Sequence, residues 1–164
     1  MAAVMLERQA SRRALVLHVT TAGTHAVEGV PPGARTLSAL RTVPGFVEEA
    51  DGAAPVVAAH RSRQLDGGDL DRAELVVAME AGHVRYLRRH HPGAAARTGT
   101  LRMLARELPP GPAPLALRVG ALHLERARLD PADDVADPAG KDDAAYAACA
   151  AELWSLCAAL VRSL

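Results

Sequence analysis

Apolar residues recur at helical intervals over the first ten positions: Met1 and Met5 align along one side, as do Ala2, Leu6 and Ala10. This predicts a helix that opens at the first methionine without the Ser, Thr, Asp or Asn that usually satisfies the first free N–H groups. The run from Ala14 to Val19 is short, β-branched and apolar, and it ends at Gly23, which predicts a buried strand and a turn. One short helix is expected between Pro31-Pro32 and Pro44-Gly45. Residues 46–60 follow neither period and are expected to form a surface excursion. Asp69 is expected to cap a short helical turn ahead of a second buried strand, Glu74 to Met79. A helix from Ala81 to about His91 then stops before Pro92-Gly93. A third strand is expected near Thr100 to Leu104, and a weaker helical pattern covers Leu115 to Leu129. The last segment, Asp142 to Leu164, places Tyr146, Cys149, Leu153, Cys157 and Leu160 on one helical stripe. Strands alternating with helices predict an α/β fold with a mainly parallel sheet and helices on both faces.

Composition narrows this picture. A chain of 164 residues suits one domain with a sizeable core. Lys plus Arg and Asp plus Glu are 19 each, which argues against a dedicated nucleic-acid or anionic-membrane partner. No run of 18 apolar residues occurs, so no bilayer span is expected, and Glu7, Arg8, Arg12 and Arg13 interrupt the only candidate leader. The expected location is the cytoplasm. Cys149 and Cys157, eight residues apart on a helix, would be separated by about 12 Å along its axis, too far for a mutual disulfide. They are expected to be buried small apolar residues. With aromatic residues at 2%, the core must be built from Leu, Val and Ala.

Several polar residues invite chemistry. His90 and His91 project about 100° apart on a helix, a poor start for a metal site, and are expected to face free carbonyls at a helix end. Arg88 and Arg89 are expected on a solvated face, Asp133 and Asp134 in a solvated acidic loop, and Trp154 as a core or interface anchor. No spaced ligand set suggests a metal. Asp137 precedes a proline, and an Asp there often only starts a turn.

Three stretches, in order, resemble one family. "VTTAGTHA" is similar to the second-strand motif of low-molecular-weight protein-tyrosine phosphatases. "HRSRQLDGGDLDRAELVVAMEAGH" resembles that family's His-x-x-Arg-Gln-Leu segment, its Asp-Leu-x-x-Ala turn and the strand ending in Met. "DDVADPAG" resembles the loop whose Asp-Pro carries the general acid. The likeness covers essentially the whole chain as one domain, residues 1–164, with insertions near 43–59 and 109–130. It implies a three-layer, flavodoxin-like (phosphotyrosine phosphatase I-like) fold with sheet order 2-1-3-4. Asp137 is then the implied general acid/base, His60 a scaffold residue, and no cofactor is implied. The implied substrate is a phosphorylated protein or small aryl phosphate.

The family's signature, a strand leading into Cys-x5-Arg-Ser-Pro, has no counterpart here. "MAAVMLERQA" is similar to the helix that follows that loop, so the resemblance implies an N-terminally truncated chain whose central first strand, nucleophilic Cys and phosphate-binding Arg are missing. Cys149 is followed six positions later by Ser155, and Cys157 by Ser163, so neither supplies the loop. Ala139 and Gly140 stand where many members carry aromatic residues, which weakens the expectation of tyrosine preference. The alternatives are a non-catalytic binding or regulatory relative and, less favoured, the arsenate-reductase branch.

Overall fold

A computed structural model describes residues 1–47 and 57–164, so most of the expected excursion at 43–59 lies outside the described residues. The described chain falls into two compact units, one of residues 1–65 and 136–158, the other of residues 66–135 and 159–164.

In the first unit, α1 (Ala2–Ser11) forms where the opening periodicity placed it and buries Met5, Leu6 and Ala10. It closes with Leu15 N–H donating to the Ala10 carbonyl at 3.0 Å and Ala14 N–H to Ser11 at 3.0 Å. This closure puts Ala14 at φ 53°, a left-handed position that usually holds glycine. Two short helices follow, α2 (Ala34–Arg41) and α3 (Pro44–Val47). Phe46 of α3 meets Trp154 edge-on, with ring centroids 6.0 Å apart, and Arg8 and Arg12 of α1 lie over these two rings. Gly45 permits that approach, because a Cβ there would stand 3.0 Å from the Trp154 ring.

The expected buried strand at Ala14–Val19 does not form. Leu15, Leu17 and Val19 are half-buried while Val16 is 94% exposed, so the segment has the two-residue alternation of a strand with only one covered face. No ladder partner pairs with it among the described residues, and hydrophobicity alone does not make a strand without one.

In the second unit, α4 (Gly67–Arg72) is opened by a capping box. Asp66 is its N-cap, accepting from Asp69 N–H, and Asp69 returns the bond to Asp66 N–H, so the cap lies three residues before the expected one. Then β1 (Val76–Ala78) leads through α5 (Ala81–His90) and a 3₁₀ turn (Pro92–Arg97) to β2 (Thr98–Thr100). The two strands are parallel, with Val76 opposite Thr98 and Ala78 opposite Thr100, the pairing a helical crossover allows. Among the described residues each strand has one strand neighbour.

The third expected strand, Thr100–Leu104, is corrected to a strand that ends at Thr100 and a helix, α6 (Leu101–Glu107). The Thr100 hydroxyl accepts from Met103 N–H and caps the helix, and Leu101 and Leu104 are fully buried at helical spacing. Of the expected helix at Leu115–Leu129 only α7 (Leu115–Gly120) forms. Turns follow Gly120, with His123 at φ 49°.

The last helix, α8 (Asp143–Val161), begins in the first unit, and its final turn counts with the second. By length and composition alone it could cross a membrane, but Cys149, Ala150, Leu153, Cys157 and Leu160 form a buried stripe. The architecture is α/β, helices with a parallel sheet, as the flavodoxin-like expectation held.

Candidate functional site

Two stretches singled out in the sequence clasp each other in the first unit. Gly23 and Gln64 form a parallel bridge, in which Gly23 N–H donates to Arg63 and Leu65 N–H donates to Gly23, each at 3.0 Å. The Gln64 amide then spans the turn, donating to Thr24 O at 2.8 Å and accepting from Ala26 N–H at 2.9 Å. The Ser62 hydroxyl accepts from Val30 N–H at 3.0 Å and donates to Val27 O. His60, expected to be the scaffold residue, is exposed, and the bracing falls to Ser62 and Gln64. Polar side chains two residues apart on an extended segment reach the same loop, a role that a periodicity search does not mark.

Asp137 lies in the first unit on a turn built from its own neighbours. Its carboxylate accepts from Ala139 N–H at 2.9 Å, Lys141 N–H closes on Pro138 O at 3.0 Å, and Gly140 takes the left-handed position at φ 75°. Asp142 then caps the start of α8, accepting from Ala145 N–H at 2.9 Å. These bonds occupy one carboxylate oxygen of Asp137 and leave the residue exposed at the wall of a half-open pocket of about 200 Å³. Ala136, Pro138, Lys141, Ala148, Cys149 and Glu152 contribute to the lining.

Cys149 links this pocket to the start of α1. Burial, and next the charge of Glu152, push its thiol up. The Met1 amine opposes the shift, Asp137 adds to it, and Lys141 opposes it. The Met1 amine is itself buried, which lowers its pKa. Cys157 donates through Sγ to Ala2 O at 3.7 Å, and burial pushes its thiol up to about 12. The N-terminal end of α1, both cysteines and Asp137 are therefore one neighbourhood. Both shifts run away from the thiolate, which is the nucleophilic form of cysteine.

The acidic stretch before Asp137 belongs to the second unit, and it is not the expected solvated loop. Asp133 is buried and takes a two-pronged grip from Arg106, Nη1 to Oδ1 at 2.5 Å and Nη2 to Oδ2 at 3.1 Å. Asp134 accepts Ala81 N–H at 2.6 Å and so caps α5, which has no cap of its own. Arg88, expected on a solvated face, is half-buried and donates to Leu124 O at 2.5 Å and Ala127 O at 2.8 Å. His90 stacks beside Tyr86, with centroids 4.6 Å apart. Among the described residues no group of three His, Cys, Asp or Glu is placed to hold a metal.

No protein-family model matches this sequence, and no curated protein matches it. Solved structures do. A low-molecular-weight protein tyrosine phosphatase from T. tengcongensis superposes with a TM-score of 0.72 at 23% identity, over 99% of this chain and 88% of that one. The low-molecular-weight protein tyrosine phosphatase of Bacillus subtilis gives 0.71 at 20% identity, over 99% and 86%. The YwlE arginine phosphatase of Geobacillus stearothermophilus gives 0.66 at 25% identity, over 98% and 83%.

Proposed function

We propose, from the premise that this chain has the fold of the low-molecular-weight protein tyrosine phosphatases, that it is the acid-bearing part of a phosphomonoesterase of the cysteinyl-phosphate type. The observation that carries the reading is the neighbourhood of Asp137. Its exposed carboxylate stands on an ordered turn, in a pocket lined by Cys149 of α8, the helix whose Cys157 donates to Ala2 O at the head of α1. A helix N-terminus favours phosphate and thiolate alike, so a substrate phosphoryl group held there would lie within the same neighbourhood as a proton donor.

In this reading Asp137 protonates the oxygen of the leaving group while a thiolate takes the phosphoryl group. It then removes a proton from the water that hydrolyses the cysteinyl-phosphate. The Cys-x5-Arg pattern does not occur in the 164 residues, so turnover in this reading requires a thiolate and an arginine supplied from outside them. The substrate class is a phosphorylated protein or small aryl phosphate. Ala139 and Gly140 provide no ring to stack on a phosphotyrosine, and one structural relative is an arginine phosphatase, so phosphotyrosine and phosphoarginine peptides are the pair to compare.

The test is the coding sequence upstream of Met1, followed by turnover of p-nitrophenyl phosphate by the longer polypeptide. Asp137→Ala should lower kcat by roughly 10²–10⁴-fold, the usual contribution of a positioned acid, and leave inhibition by inorganic phosphate nearly unchanged. An upstream stop codon, or unaltered turnover in the variant, removes the reading.

A second reading, a non-catalytic module, draws on the burial of both cysteines. It requires the 164-residue chain to fold and to leave p-nitrophenyl phosphate untouched. The same burial counts against an arsenate-reductase relay, which needs accessible thiols.

A further inference from the structure

We infer that Arg35 is a positioning residue for the Asp137 turn, a role that rests on Asp137 being the proton donor. The Arg35 guanidinium donates from Nε to Asp143 Oδ1 at 2.8 Å and from Nη1 to the Lys141 carbonyl at 3.0 Å. These two contacts grip both sides of Asp142, the residue that caps α8. Within residues 137–142 the other hydrogen bonds are local: Ala139 to Asp137, Lys141 to Pro138, and Ala145 and Tyr146 to Asp142. Among the described residues, the hydrogen bonds tying this turn to a sequence-distant element come from Arg35.

The placement of Arg35 is costly for its own helix. It sits in the first turn of α2, which has neither an acidic residue there nor a side-chain cap, and the positive end of the helix dipole disfavours a cation. Asp143, in contrast, stands in the first turn of α8, where a carboxylate is favoured. The pair therefore joins two helix N-termini through one fork, and the planar guanidinium reaches a carboxylate and a carbonyl together, which an ammonium group on a flexible stem does poorly. Both partners are solvent-exposed, at 56% and 86%, so the latch is open to screening by salt. A turn held this way keeps the Asp137 carboxylate at one place on the pocket wall while its second oxygen stays available for proton transfer.

The experiment is amide hydrogen exchange by NMR on the 164-residue chain, with Arg35→Gln, Arg35→Lys and Asp143→Asn. Exchange at Ala139 and Lys141 should quicken roughly three- to five-fold in Arg35→Gln, the scale available to an exposed pair. Asp143→Asn should fall between Arg35→Gln and wild type, because it leaves the Lys141 contact, and Arg35→Lys should restore only part of the protection. Amides in the middle of α8 should not change. High salt should move the wild type toward Arg35→Gln. Unchanged exchange at Ala139 and Lys141, or an equal rise across α8, overturns the role. This readout does not depend on turnover, so its failure is distinct from failure of the phosphatase reading, which the Asp137→Ala assay decides.

Discussion

Replacing Asp133 by Asn should destabilise the second unit in a way that depends on pH. The Asp133 side chain is 9% exposed and its partner Arg106 54% exposed, so the pair lies between a buried and a surface salt bridge. A fully buried pair broken on one side costs about 3–5 kcal/mol and an exposed one about 0.2–1 kcal/mol. Solvent access to Arg106 discounts the upper figure, which leaves about 1–2 kcal/mol, or roughly 2–8 °C in Tm for a chain of this size. The Arg106 hydrogen bonds hold the Asp133 carboxyl below its ordinary value of 3.8, against the upward pull of burial. A depressed folded-state pKa means the contribution is complete above the unfolded value and is lost as pH falls through the folded one. Urea melts followed by circular dichroism at pH 6 and near pH 2.5 should therefore show the variant weaker than wild type at pH 6, with the gap narrowing in acid. Arg106→Gln should flatten the trend, because the largest lowering cause is then gone and burial is opposed only by the charge of Arg102. A gap between wild type and Asp133→Asn that is equal at both pH values would refute the assignment.

Two more substitutions test the fold. Arg118 is buried and donates to the main-chain oxygens of Ala113, Pro109, Ser163 and Leu164, so Arg118→Met should cost about 2–4 kcal/mol and lower Tm by several degrees; a Tm within a degree of wild type would show that these oxygens find water without loss. Ala14→Gly should raise Tm by about 1–3 °C, since a side chain at φ 53° carries a steric penalty that glycine lacks, and a fall in Tm would mean that the greater freedom of glycine in the unfolded chain outweighs that relief.

Helical spacing in the sequence located α1, α5 and α8 to within three residues at each end, because each buries one continuous stripe and that periodicity survives tertiary context. The apolar run at Ala14–Val19 misled because a strand is a pairing, and pairing partners are not written locally. Thr100 ended a strand and began a helix within one residue, a change of period too abrupt for a pattern to register. Charged residues were the least transparent. Asp133, Asp134 and Arg88 look like surface residues in sequence, yet each satisfies a group 27 or more residues away. Asp137 was singled out by resemblance and Gln64 lies within a quoted motif, while Ser62, which braces the 23–30 loop, and Arg35, which reaches the Asp137 turn, carry no motif of their own.

The sheltered thiol of Cys157 gives the molecule a built-in timer. Cys157 is fully buried, so a reagent such as a maleimide reaches it only when α8 lifts away, and its modification rate reads the opening of that helix. Cys149, on the wall of the half-open pocket, has less shelter, so the gap between the two rates isolates the helix opening.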